Sequence, residues 1–166
     1  MFFNNPNKEQ LFADFHSKYM GSIDARFPNV CQRYFQTDVF TDNGAFIGIA
    51  NDPQRGLYNP AKNDTPFQCM NNFMGHTEIM RHEASCKTAG LTTDEQYALI
   101  AHEVGHFVAS IERIQQWGVG EEVYADSIAV KIGLHNELKS ALQKLINSPM
   151  TDKTSIPVLQ SRINLL

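Results

Sequence analysis

His102-Glu103-Val104-Gly105-His106 places two imidazoles four residues apart, with a carboxylate beside the first. On an α-helix, positions i and i+4 lie one turn apart on the same face, so both rings can reach a single ion. Zinc suits such a pair, because it takes nitrogen and oxygen donors in tetrahedral geometry. Glu103 sits one position round the helix, where it can approach a water at the metal without being a ligand. Gly105 has no side chain and leaves that surface open to a close neighbour. The chemistry expected is metal-assisted hydrolysis, with His102 and His106 as zinc ligands and Glu103 as general base.

A catalytic zinc site needs a third protein ligand and an open position. Downstream lies Glu121-Glu122-Val123-Tyr124-Ala125-Asp126. Glu122 and Asp126 are four apart and share a helix face. That spacing lets Glu122 ligate the metal while Asp126 accepts a hydrogen bond from the far ring nitrogen of a ligand histidine. Glu121 reads as an acidic residue favoured in a first helical turn by the helix dipole. Candidates for binding substrate or an oxyanion are Tyr124, His135 and Arg162, with His76 and His82 behind them.

The short link between the two motifs constrains the fold. Residues 107–121 must bring the chain from His106 back to Glu122. Because a helix rises only ~1.5 Å per residue, one unbroken to Gln116 would leave too little chain for the return. The first helix is therefore expected to end near Ser110 to Arg113, with a returning loop over 112–119.

These motifs resemble those of HtpX-type gluzincin metallopeptidases. Thr93 to His106 is similar to their active-site helix, and Glu122-Val123-Tyr124-Ala125-Asp126 matches their Glu-x-x-Ala-Asp motif. The tail from Pro157 through Arg162-Ile163 to Leu166 is similar to their terminal Pro-x4-Arg-Ile-x-x-Leu element, although the family's His-Pro pair is Ile156-Pro157 here. The resemblance implies a zincin-like fold and a zinc metallopeptidase with His102, His106 and Glu122 as ligands. It also implies that Glu103 is the base and that Asp126 orients His102. The motif order is similar as well to ImmA-type regulators, which cleave or bind one specific partner, but their second motif ends Ala-Asn. A zinc-stabilised interaction domain without turnover is a further alternative. A thiol enzyme using Cys31, Cys69 or Cys86 has no local signature.

The surrounding elements are legible in part. Lys8 to Met20 has Leu11, Phe12, Phe15 and Tyr19 at helical spacing, and Pro28 breaks the pattern. Arg33 to Ile49 reads as two strands joined at Asp42-Asn43-Gly44, with 45–50 as the strand beside an extended peptide substrate. Residues 51–66 have loop composition, and 67–87 is ambiguous apart from a short strand at Thr77–Arg81. Thr92 or Thr93 with Glu95 or Gln96 makes a capping box for the motif helix, whose apolar face runs through Ala98, Ala101, Val104, Phe107 or Val108, and Ile111. A second helix runs from near Gly120 to Gly133 and a third from Asn136 to Asn147. The reading is an α+β protein, one domain over 1–166, with a small antiparallel N-terminal sheet packed on a helical C-terminal half.

Composition narrows the partners. A net charge of -4, with 14 scattered Lys and Arg, offers no field for a nucleic-acid backbone. A peptide or protein substrate is the partner expected. No apolar run is long enough for a signal peptide or a membrane span. The three cysteines have no Cys-x-x-Cys spacing, as for reduced thiols in the cytoplasm.

Overall fold

The computed structural model describes residues 6–28, 49–50, 66–71, 77–112 and 119–166, which are mostly helical. Helix α1 (Pro6–Phe15) passes into a π-helical turn at His16–Met20 and then into α2 (Gly21–Arg26). Helical rotation thus continues beyond the expected stop at Met20, because Gly21 stays right-handed (φ -59°, ψ -39°). It ends at Phe27, as a residue before proline is biased away from the α region. A π turn holds an extra residue, so the buried positions step from Phe15 to Met20 to Ile23. Tyr19, expected on the buried stripe, is half-buried and meets Tyr97 edge-on at 5.6 Å.

The extended segments are short: β1 (Ile49–Ala50), β2 (Phe67–Asn71) and β3 (Thr77–Arg81). They pair in the order β1-β3-β2. The expected antiparallel arrangement holds only for β2 against β3, where Cys69 faces Ile79; β1 runs parallel to β3. The hairpin expected across Arg33 to Ile49 lies outside the described residues except for Ile49 itself. Ile49 and Ala50 pair with β3 on the side away from β2. Thr77–Arg81 is extended as expected, and the ambiguous stretch after it resolves into α3 (Glu83–Ala89), closed by Gly90 at φ +70°.

Helix α4 (Thr93–Ile111) is the centre of the molecule. A one-sided apolar face was expected, yet Tyr97 through Gly105 are all buried, as are Phe107 to Ala109. A helix hydrophobic all round belongs in a core. It contacts β2 and β3, α5 (Val119–Lys131) and α6 (His135–Asn147). A 3-10 turn at Lys153–Ser155 leads into α7 (Ile156–Leu165), which packs on α5 and α6. Helix α4 ends at Ile111, inside the expected window, and Gly133 takes φ +92° two residues after α5. Among the described residues, no helix is long and apolar enough to cross a membrane.

The start of α4 is held by a capping box between Thr92 and Glu95. Glu95 N–H donates to Thr92 Oγ1 at 3.2 Å, and Thr92 N–H donates to Glu95 Oε2 at 2.9 Å. Glu95 is only 6% exposed and also accepts from Ser140 Oγ at 2.7 Å and Lys144 Nζ at 2.9 Å, tying α4 to α6. Burial raises its pKa, but the bonds from Lys144, Thr92 and Ser140 outweigh this and hold the carboxyl below its usual range. Its stabilisation is therefore complete above the ordinary carboxylate pKa and lost as pH falls through the lowered folded value. Glu95→Ala should cost about 2 kcal/mol in urea unfolding at neutral pH, with the deficit shrinking in acid. A deficit that is constant with pH would count against an ionised Glu95.

Candidate metal centre

Helices α4 and α5 run antiparallel through their shared contact, and Gly105 permits the approach. A Cβ built on Gly105 would lie 2.6 Å from the Ala125 carbonyl oxygen and 2.7 Å from its Cα. Since Ala125 lies between Glu122 and Asp126, this contact brings both carboxylates onto the two histidines.

His102 Nε2 lies 3.1 Å from His106 Nε2 and 3.0 Å from Glu122 Oε2, while His106 Nε2 lies 3.6 Å from Glu122 Oε1. On the opposite edge of the His102 ring, Nδ1 is 2.6 Å from Asp126 Oδ1. Burial favours a protonated Asp126, but hydrogen bonds from His102 and Arg162 hold its carboxyl below the usual range. An ionised carboxylate can only accept, so the intervening proton belongs to His102 Nδ1. His102 Nε2 then faces the centre with a lone pair whenever the ring is neutral.

His102, Glu103 and His106 form a cluster whose ligand atoms lie within 4.8 Å of one another and could hold a metal ion. Glu122 approaches His102 more closely than Glu103 does, since Glu103 Oε1 stands 4.0 Å from His102 Nε2. Two imidazoles and Glu122 therefore form the tight triangle, with Glu103 set back beside it. Donors bound tetrahedrally at zinc–ligand lengths of 2.0–2.1 Å lie roughly 3.3 Å apart, close to the contacts of 3.0, 3.1 and 3.6 Å, of which the two to Glu122 are made through its two different oxygens. Converging lone pairs repel unless a cation lies among them. Without a metal the cation is a proton: burial and Arg162 lower the His102 pKa, but Asp126, Glu122 and Glu103 prevail and raise it to about 9. Burial would also raise Glu122, yet His102, His106 and Arg162 hold it far below the ordinary range. Glu103 is pushed upward, chiefly by its burial.

Arg162, a candidate for binding substrate or an oxyanion, lines the cleft and also grips Asp126. Its Nε donates to Asp126 Oδ2 at 2.8 Å and its Nη2 to Asp126 Oδ1 at 2.7 Å. This two-pronged grip fixes Asp126 behind His102, and Arg162 is itself only 7% exposed. His135 is engaged elsewhere, with Nε2 2.7 Å from the Leu166 carbonyl oxygen. Tyr124 is half-buried against the core. Neither His135 nor Tyr124 lines the cleft. His82 is buried beside Gln68, and His76 lies outside the described residues.

The histidines open into a cleft of 510 Å³. Its walls include Phe67, Gln68 and Cys69 of β2 on one side, and Leu145, Leu159 and Arg162 from α6 and α7 on another. Among the described residues β2 supplies an extended wall; of the 45–50 segment expected beside the substrate, 45–48 lie outside the described residues. The motif reading missed these β2 residues, whose proximity depends on pairing with β3. Glu121 stands in the first turn of α5, as the helix-dipole reading has it, but that reading did not foresee that its Oε1 lies 3.3 Å from His106 Nδ1. The contact follows from how α5 packs: Glu122, one turn before Asp126, takes the Nε2 edges, and Glu121 beside it is left to the outer edge of His106. No family model, curated protein or solved structure matches the chain.

Proposed function

We propose that this chain is a zinc-dependent peptidase of the gluzincin kind, with a zincin-like α+β fold. The observation that carries the reading is the convergence of His102 Nε2, His106 Nε2 and Glu122, with Glu103 adjacent but outside the triangle. A closed structural site would have no use for a carboxylate in that position. When bound, zinc supplies Lewis acidity, lowering the pKa of water and polarising a carbonyl. Glu103 takes the proton of the attacking water and passes it to the leaving amine. Asp126 keeps the His102 proton on Nδ1, and Arg162 keeps Asp126 in place.

The substrate is a peptide or protein in extended form. β2 ends the ladder among the described residues and walls the cleft, so it can pair with a substrate backbone. The thiols do not compete for the catalytic role. Burial and the Glu103 charge push Cys69 up to about 12, and burial raises Cys86 to about 11. Cys31 lies outside the described residues. Both described cysteines are free thiols.

Metal analysis of purified protein should give about one zinc per chain. The same preparation should digest a mixed peptide library, lose activity to a chelator and recover it with added zinc. Absence of retained zinc, or undiminished digestion after complete metal removal, would overturn the proposal.

A further inference from the structure

Two ring edges face away from the triangle, and each meets a carboxylate of α5. His102 Nδ1 has Asp126 at 2.6 Å, and His106 Nδ1 has Glu121 Oε1 at 3.3 Å. One turn before Asp126 on α5 comes Glu122, which meets the Nε2 edges, and Glu121, one position further round that helix, reaches the outer edge of the His106 ring. Glu121 also lines the cleft, while the neighbouring Glu122 turns to the Nε2 edges. The two adjacent acids thus address opposite edges of the His106 ring.

We propose that Glu121 is a positioning residue for His106, accepting the Nδ1 proton so that Nε2 is presented to the metal. The inference rests on the zinc-peptidase reading and assigns Glu121 no contact with substrate. Free imidazole exchanges its proton between two nitrogens and turns about its side-chain bonds. A carboxylate on one nitrogen selects the tautomer and fixes the ring plane, making the other nitrogen the available donor. His106 needs this more than His102 does, because its side chain is 20% exposed against 5%. Asp126 has Arg162 behind it, whereas Glu121 is 44% exposed and held mainly by its place on the helix. The Glu121 contribution is accordingly the smaller of the two.

The alternative is a favourable charge in the first turn of α5. Glutamine separates these roles, because it removes the charge but retains an oxygen that can accept from Nδ1. Zinc affinity should be measured by chelator competition on wild type, Glu121→Ala and Glu121→Gln, with thermal unfolding of each zinc-free protein. The expected result is about a tenfold weaker affinity in Glu121→Ala, near-wild-type affinity in Glu121→Gln, and unchanged zinc-free unfolding of Glu121→Ala. Wild-type affinity in Glu121→Ala, or an equal loss in both variants, would overturn the assignment. A wild-type chain that takes up no zinc would remove the peptidase reading and this inference together. Tight wild-type binding with an unaffected Glu121→Ala would remove this inference alone.

Discussion

Glu103→Gln is expected to retain zinc and the native fold while peptide hydrolysis falls by about 10²–10⁴-fold, mostly in kcat. The substitution preserves shape, which matters for a residue only 8% exposed. It removes the ability to take a proton from water, a step the other residues of the centre are poorly placed to supply. His102 is committed on Nδ1 to Asp126, and the Glu122 carboxylate is held by both histidines. Zinc content should stay near wild type because Glu103 stands outside the close donor triangle. Hydrolysis by the variant at the wild-type rate would remove Glu103 from the mechanism. Loss of zinc with retention of the fold would instead move Glu103 into the ligand set.

Gly105→Ala should damage the centre without changing any group in it. The new methyl would meet the Ala125 carbonyl oxygen at 2.6 Å and its Cα at 2.7 Å. Both are backbone atoms, so rotation of a side chain cannot relieve the overlap. Helices α4 and α5 must move apart, taking Glu122 and Asp126 away from His102. Overpacking of this kind costs about 1–3 kcal/mol, offset in part by the better helix propensity of alanine, ~1 kcal/mol. The larger consequence is for metal: affinity should fall at least 10–100-fold, roughly the loss expected from a displaced supporting carboxylate. Chelator competition and urea unfolding measure the two effects separately. Wild-type zinc affinity in this variant would show that the close contact does not position the carboxylates.

Local patterns carried much of the centre. The His102–His106 spacing requires only helical periodicity, and Glu122 with Asp126 follows the same rule one helix later. The Thr92–Glu95 cap and the Gly133 terminus likewise depend on residues a few positions apart. Even the early end of α4 follows from chain length, since the segment between the motifs must return within reach of His106.

What remained hidden involves distant segments or small displacements. Nothing near His16 announces a π turn, which shifts the buried stripe from Tyr19 to Met20. The β2 wall exists because residues 67–71 pair with 77–81, a relation that loop composition before it obscures. Arg162 and Asp126 are far apart in sequence, and their charges say only that they can pair. Glu121 had an adequate local explanation in the helix dipole, so its contact with His106 emerged only once α4 and α5 were placed antiparallel. Side-chain type and short spacing specify what a group can do, but its partner depends on how helices and strands distant in sequence pack together.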